Sequence, residues 1–292
     1  MHPPSDTRRG RSKGHAEGRT AWSRVFSSAD LPPRQRRARR RHFLVYLVTV
    51  LFCVWWIRSA DWETLRDAFF EPEIFREQFP EVLTQAARNT LWFTLLGFSG
   101  GLTLGLFLAL MRFSDMRLYR WAASVFVEVV RGLPALLTIF LVGYGIPLAF
   151  DVRIPGIYGP GAFSLAIVSS AYIAETIRAG IEAVPKGQME AARSLGMPRG
   201  VSMTFIVLPQ AFRIVIPPLT NELVLLLKDT SLLYALGTTD QTRELIKFGR
   251  DEMTEKFNVT PLIVVGLVYL VITLPLTRVA AWLERRARLS RE

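Results

Sequence analysis

The sequence predicts an all-α membrane protein with about six transmembrane helices, and three observations carry that prediction. Half of the 292 residues are apolar. They lie in long runs with few charges, whereas a soluble protein interleaves its apolar residues at helical or strand period. Lys and Arg outnumber Asp and Glu by 36 to 25, and the excess collects outside the runs. A helix crossing about 30 Å of hydrocarbon needs roughly 20 predominantly apolar residues.

Residues 1–42 form a basic tail. Arg8, Arg9, Arg11, Lys13, Arg19, Arg24, Arg34, Arg36, Arg37, Arg39, Arg40 and Arg41 face only Asp6, Glu17 and Asp30. Such a tail can bind nucleic acid, but a disordered basic segment beside an apolar helix already serves to hold that end in the cytoplasm near anionic lipid. No nucleic-acid partner is expected. The first apolar run, Phe43 to Ile57, is short enough to suggest a signal peptide. Its flanks argue against cleavage: the basic region is too long, no small-x-small site follows, and Phe52 is too large before Cys53 for a lipoprotein site. A retained helix over 43–60 is expected, with Arg58 snorkelling at its outer end. Cys53 is the sole cysteine, which excludes a disulfide framework and a cysteine metal cluster.

Further runs are Asn89 to Met111, about Leu133 to Phe150, Ala162 to Ile177, about Ala211 to Leu236 and Thr260 to Ala281, within a transmembrane domain over 85–281. The loops agree with the positive-inside rule. Residues 58–88 are acidic and external, Arg112, Arg117 and Arg120 place the next loop inside, and residues 151–160 lie outside. Residues 178–210 lie inside, 240–255 outside, and the basic end over 282–292 inside. Both termini are therefore expected in the cytoplasm. Gly97, Gly101 and Gly105, four apart, share a helical face suited to close packing. No internal repeat supports an inverted-repeat carrier.

The most informative stretch is polar and internal, over 184–209. Residues 188–195 favour helix, and Gly196 supplies a left-handed C′ position. Pro198 suits the first turn of a second helix, which Val201, Phe205, Ile206 and Leu208 make apolar on one side and which Pro209 is expected to close. Two short helices thus meet at an elbow, with Ala191 and Ala192 thinning its surface for a groove on another protein.

Glu190, Ala191, Ala192, three residues, Gly196, nine residues, then Ile206, Val207, Leu208, Pro209 resembles the EAA loop of ATP-binding-cassette importer permeases. Further pieces resemble the polar amino-acid branch, the histidine and glutamine type: Arg131 to Pro134, Ala171 to Ile181, Gly187 and Gln188, Leu208 to Ala211, and Lys228 to Leu232, within about 85–280. Leu133 departs from the Thr usual there. The resemblance implies an importer-type permease fold in a prokaryotic cell membrane, translocating a polar amino acid or close analogue. It implies coupling through Glu190, Ala191, Ala192, Gly196, Leu208 and Pro209. Its implied partners are a cytoplasmic ATPase dimer, a second permease, identical or homologous, and an extracellular or periplasmic binding protein. No G-x-x-x-x-G-K-[ST] occurs, so ATP and Mg belong to the partner, and no cofactor is expected on this chain.

Ionisable residues within spans suggest function unless they sit near an end. Glu128 and Arg131, like Glu175 and Arg178, are three apart and can pair locally, either as interfacial structure or for transport. Lys228 and Asp229 interrupt the outer half of the fifth span; Glu222 with Asn221 and Lys228 is expected to line the path, against a structural network between helices, and Tyr172 either adds a hydroxyl or packs between helices. His2, His15 and His42 all lie in or beside the tail, so catalysis is not expected. An ion-coupled secondary carrier using Glu222 is the alternative function.

Overall fold

A computed structural model describes residues 33–289. The tail expected over 1–42 lies outside the described residues up to residue 32, as do His2, His15 and residues 290–292. No strand occurs among the described residues. The chain forms two compact units, Met1–Trp62 and Glu63–Glu292.

In the first unit, α1 spans Pro33–Ser59. It starts upstream of the apolar run because the arginine-rich stretch before it is made of good helix formers. The large apolar side chains from Phe43 to Ile57 are exposed, as lipid contact requires.

From Glu63 on, the second unit holds the rest of α2 (Trp62–Phe69) and all of α3 (Pro72–Glu77). A widened turn over Val82–Ala87 then runs straight into α4 (Arg88–Phe113). This span begins before Asn89, where the apolar run starts, because Val82 and Ala86 are fully buried with Leu245, Phe248 and Val264. The loop expected before the third span is a helix instead, α5 (Arg117–Gly132), which buries Ala123, Val127 and Val130 on one face. The chain then bends by 115° into the helices over Ala135–Phe150. The break has a local cause: Pro134 disfavours helical backbone at the residue before it, and Leu133 is extended at φ −90° and ψ 147°. α6 (Ala135–Phe140) and α7 (Ile146–Phe150) flank a second widened turn.

Next come α8 (Gly159–Glu182), α9 (Lys186–Ser194), α10 (Arg199–Ser202) and α11 (Leu208–Asp229). Pro209 does not close a helix: residues Arg199–Leu236 form one continuous 38-residue path. A proline inside a helix lacks a donor and crowds the carbonyl four residues back. The widened turn over Met203–Val207 sits where that strain falls. α12 (Leu245–Lys256) and α13 (Thr260–Leu289) complete the unit. Among the described residues five helices are long and apolar enough to cross a membrane, or six when the bent pair counts as one span.

α4 and α8 pack most closely. A Cβ on Gly97 would lie 2.9 Å from Leu165 Cβ, one on Gly101 would lie 1.9 Å from Ser169 Oγ, and one on Gly105 would lie 2.8 Å from the Ser170 carbonyl. Only glycine admits this approach, and Ser169 uses it to donate to the Gly97 carbonyl at 3.3 Å. The small-residue seam brings the two helices that carry Arg112 and Glu175 into register.

Candidate functional site

α9 ends in a Schellman motif. The Met197 amide donates to the Ala192 carbonyl at 3.2 Å, and the Gly196 amide to the Arg193 carbonyl at 3.0 Å. Gly196 holds φ +80°, a left-handed value that glycine adopts without steric cost. Pro198 is the N-cap of α10 rather than a residue of its first turn. Gln210 on α11 donates to Gln188 on α9 at 3.3 Å, tying the two arms together. Val184 and partly buried Met189 join the core that holds Ile173, Ile181, Val207 and Ala211, so α9 is seated on the ends of α8 and α11.

The outer face of this elbow differs from expectation in one respect. Ala191 is exposed, but Ala192 is buried at 4% exposure; its methyl lets the arms of the elbow meet instead of thinning the surface. Glu190 is exposed and makes no ion pair among the described residues. Leu208 is half-buried and Pro209 exposed. Sequence reasoning missed Leu195, which is 84% exposed at the tip of the elbow beside Gly196. Its C-cap position next to a left-handed glycine was the available sign.

At the same end of the unit lies a cluster of charges centred on Glu175. Its carboxylate accepts from Arg112 at 2.6 Å and from Arg178 at 2.5 Å, and Arg131 approaches at 3.7 Å. Arg178 also pairs with Glu182 at 2.5 Å. Three helices thus converge on one carboxylate that is 24% exposed. The pair expected between Glu128 and Arg131 does not form: Glu128 is exposed and makes no ion pair among the described residues. Arg131 turns instead toward α8, its guanidinium carbon 5.7 Å from the centre of the Tyr172 ring. A cation over a ring face is attracted by the ring quadrupole. Arg112, 63 residues before Glu175, had not been singled out as its partner.

Glu222 is half-buried, and both Arg131 and Asp229 act on it electrostatically. Arg131 thus meets Glu175 and the Tyr172 ring directly, with Glu222 within its electrostatic reach. Asn221 and Lys228, on the same helix, are exposed. The arrangement offers both charge signs and an aromatic hydroxyl, which is what recognising a zwitterion requires.

At the other end, buried Asn89 donates to the carbonyls of Gln241 and Arg243 at 2.9 and 3.0 Å and accepts from Tyr158 at 2.6 Å. Glu244 caps α12, accepting from the amides of Ile246 and Lys247 at 2.6 and 2.7 Å. Burial pushes its carboxyl up to about 8, against the opposing pull of those two amides. Because the folded chain holds this proton more tightly, stability is full below about pH 4.5, falls as pH rises toward 8, and levels off above that. The slope cannot exceed about 1.4 kcal/mol per pH unit. Glu244→Gln, scanned for thermal unfolding in detergent from pH 5 to 9, is expected to lose this part of the decline.

The family described as binding-protein-dependent transport system inner membrane component matches residues 101–289. The chain is 39% identical over 198 residues to the probable glutamine ABC transporter permease protein GlnM of Bacillus subtilis, covering 68% of this chain and 89% of the relative. It is 34% identical over 210 residues to the glutamine transport system permease protein GlnP of Escherichia coli, covering 71% and 94%. Among solved structures, an amino acid ABC transporter with histidines aligns at TM-score 0.63 and 33% identity, covering 78% of this chain and 99% of the other. The glycine-terminated elbow sits within the matched residues, and the chain belongs to the binding-protein-dependent transport system inner-membrane component family.

Proposed function

We propose that this chain is the transmembrane permease subunit through which an ATP-driven importer of a prokaryotic cell membrane moves a polar amino acid or close analogue. The observation that carries the reading is the elbow over 184–209: a helix held to the bundle on one side, closed by a left-handed glycine, and presenting Glu190, Ala191 and an 84% exposed Leu195 on the other. An exposed leucine on an otherwise polar tip suits a pocket on a second protein. That protein is read as a cytoplasmic ATPase dimer, which supplies ATP and Mg, so the chain itself performs no hydrolysis. The elbow and both chain ends then lie in the cytoplasm. A second permease subunit and an external binding protein complete the assembly. The names of the relatives, glutamine permeases among them, support an amino-acid substrate, and Arg131, Tyr172 and Glu222 supply groups for it beside the Glu175 ion cluster.

Leu195→Asp tests this. The elbow's own fold does not use that side chain, so the variant is expected to keep its thermal stability while losing co-purification with the ATPase by about 30-fold or more, as for a hot-spot residue worth roughly 2 kcal/mol. Unchanged co-purification removes the docking role. An ion-coupled carrier, by contrast, transports alone in vesicles under an ion gradient; the permease is expected to be inert without its ATPase.

A further inference from the structure

Where α4 and α8 end and α5 begins, a cavity of about 510 Å³ is lined by Arg112, Arg117, Arg120, Arg178, Trp121 and Glu182 among its residues. Four guanidiniums face a single lining carboxylate. The other residues account for only part of that charge. Arg112 is neutralised by Glu175 and Arg178 is shared between Glu175 and Glu182. Arg120 donates to the Ser114 carbonyl at 2.6 Å, a contact that leaves its charge uncompensated. Arg117 is exposed and has no ion pair among the described residues. Two net positive charges therefore stand over the opening.

The position of the cavity says which anion fits. Arg112 lies in the last turn of α4 and Arg178 about one turn before the end of α8, and both helices are long and apolar enough to cross a membrane. Leu118 and Trp121, each 66% exposed on the same short stretch, present an apolar surface beside the charges. A soluble anion would have no use for that surface, whereas a phospholipid places acyl chain and headgroup phosphate side by side. Tryptophan is moreover enriched at membrane–water interfaces.

We infer that this cavity holds the headgroup phosphate of an anionic phospholipid, with Arg117 and Arg120 as its principal contacts. Bound there, the lipid sits beside the end of α8 that leads directly into α9, and so steadies the base of the elbow.

The full-length chain in mixed detergent micelles, with equimolar phosphatidylglycerol and phosphatidylcholine of identical acyl chains, is to be titrated and read by native mass spectrometry. The wild-type chain is expected to retain phosphatidylglycerol over phosphatidylcholine. Each arginine near a membrane surface is worth about a fivefold change in retention, so Arg117→Gln lowers it about fivefold and the double variant with Arg120→Gln about 25-fold. The basic tail is common to all forms and cancels in the comparison. Because Arg117 has no ion-pair partner, its single variant keeps the fold even if the double variant loosens the α4–α5 turn. An unchanged lipid preference in Arg117→Gln overturns the inference. So does displacement of phosphatidylglycerol by millimolar inorganic phosphate but not by chloride of equal ionic strength, which would mark a site for a soluble anion.

Discussion

Gly196→Val is expected to uncouple ATP turnover from uptake in the assembled complex, lowering transport-coupled activity by more than about tenfold. The residue sits at φ +80°, and a β-branched side chain there costs on the order of 1–3 kcal/mol. Nothing lies within 4 Å of the position where its Cβ would stand. The penalty is therefore purely one of backbone conformation. The chain relieves it by leaving the left-handed region, which breaks the Met197-to-Ala192 and Gly196-to-Arg193 bonds and swings Leu195 away from its place at the tip. The bundle itself does not depend on these bonds, so the thermal midpoint should move little. Gly196→Asn separates the conformational cause from any steric one, because asparagine tolerates left-handed backbone, and it should restore most of the coupled activity. Gly200→Ala, also facing open space but without a positive φ, should be silent. Coupled uptake unchanged in Gly196→Val would remove the elbow's geometry from the mechanism.

This elbow was legible in the sequence because its cause is local. A glycine after a run of helix formers and two residues before a proline fixes a turn whatever surrounds it, and Gly196 closes α9 accordingly. The membrane spans were legible for a similar reason, since hydropathy is a property of the run. Residues whose role depends on a distant partner were not. Ala192 and Ala191 are neighbours of identical chemistry, and only the docking of α9 on α10 and α11 decides which is buried. Arg131 sits three residues from Glu128, yet the packing of α5 on α8 brings it to Glu175 and Tyr172 instead. Pro209 reads as a terminator, but a widened turn absorbs it and the helix continues. The glycine face on α4 was visible as a packing surface; that it serves to bring Arg112 against Glu175 became visible only once α8 was in place.

That last contact yields the second large effect, from Glu175→Gln. The carboxylate holds Arg112 at 2.6 Å and Arg178 at 2.5 Å, with Arg131 at 3.7 Å. Its removal leaves three guanidiniums in a partly buried seam with one carboxylate, Glu182, serving Arg178 alone. Deleting one partner of a fully buried pair costs about 3 kcal/mol or more, and with Glu175 24% exposed solvent screening brings this to about 1–3 kcal/mol. That corresponds to a fall of several degrees in thermal midpoint. Gln can accept one of the lost bonds but cannot offset the charge, so the fall should be steeper at low salt, where like charges repel over a longer range. Deleting a repelling cation should recover part of the loss, and the double variant Glu175→Gln/Arg112→Gln is expected to be more stable than Glu175→Gln alone. Uptake per folded complex separates structure from transport. If the cluster is a clamp between α4, α5 and α8, uptake normalised to folded complex follows stability and is rescued with it. If the carboxylate meets the substrate instead, the midpoint holds while uptake is lost, and removing Arg112 restores nothing. The bidentate geometry of Arg178, which leaves neither carboxylate oxygen without a cation, favours the clamp.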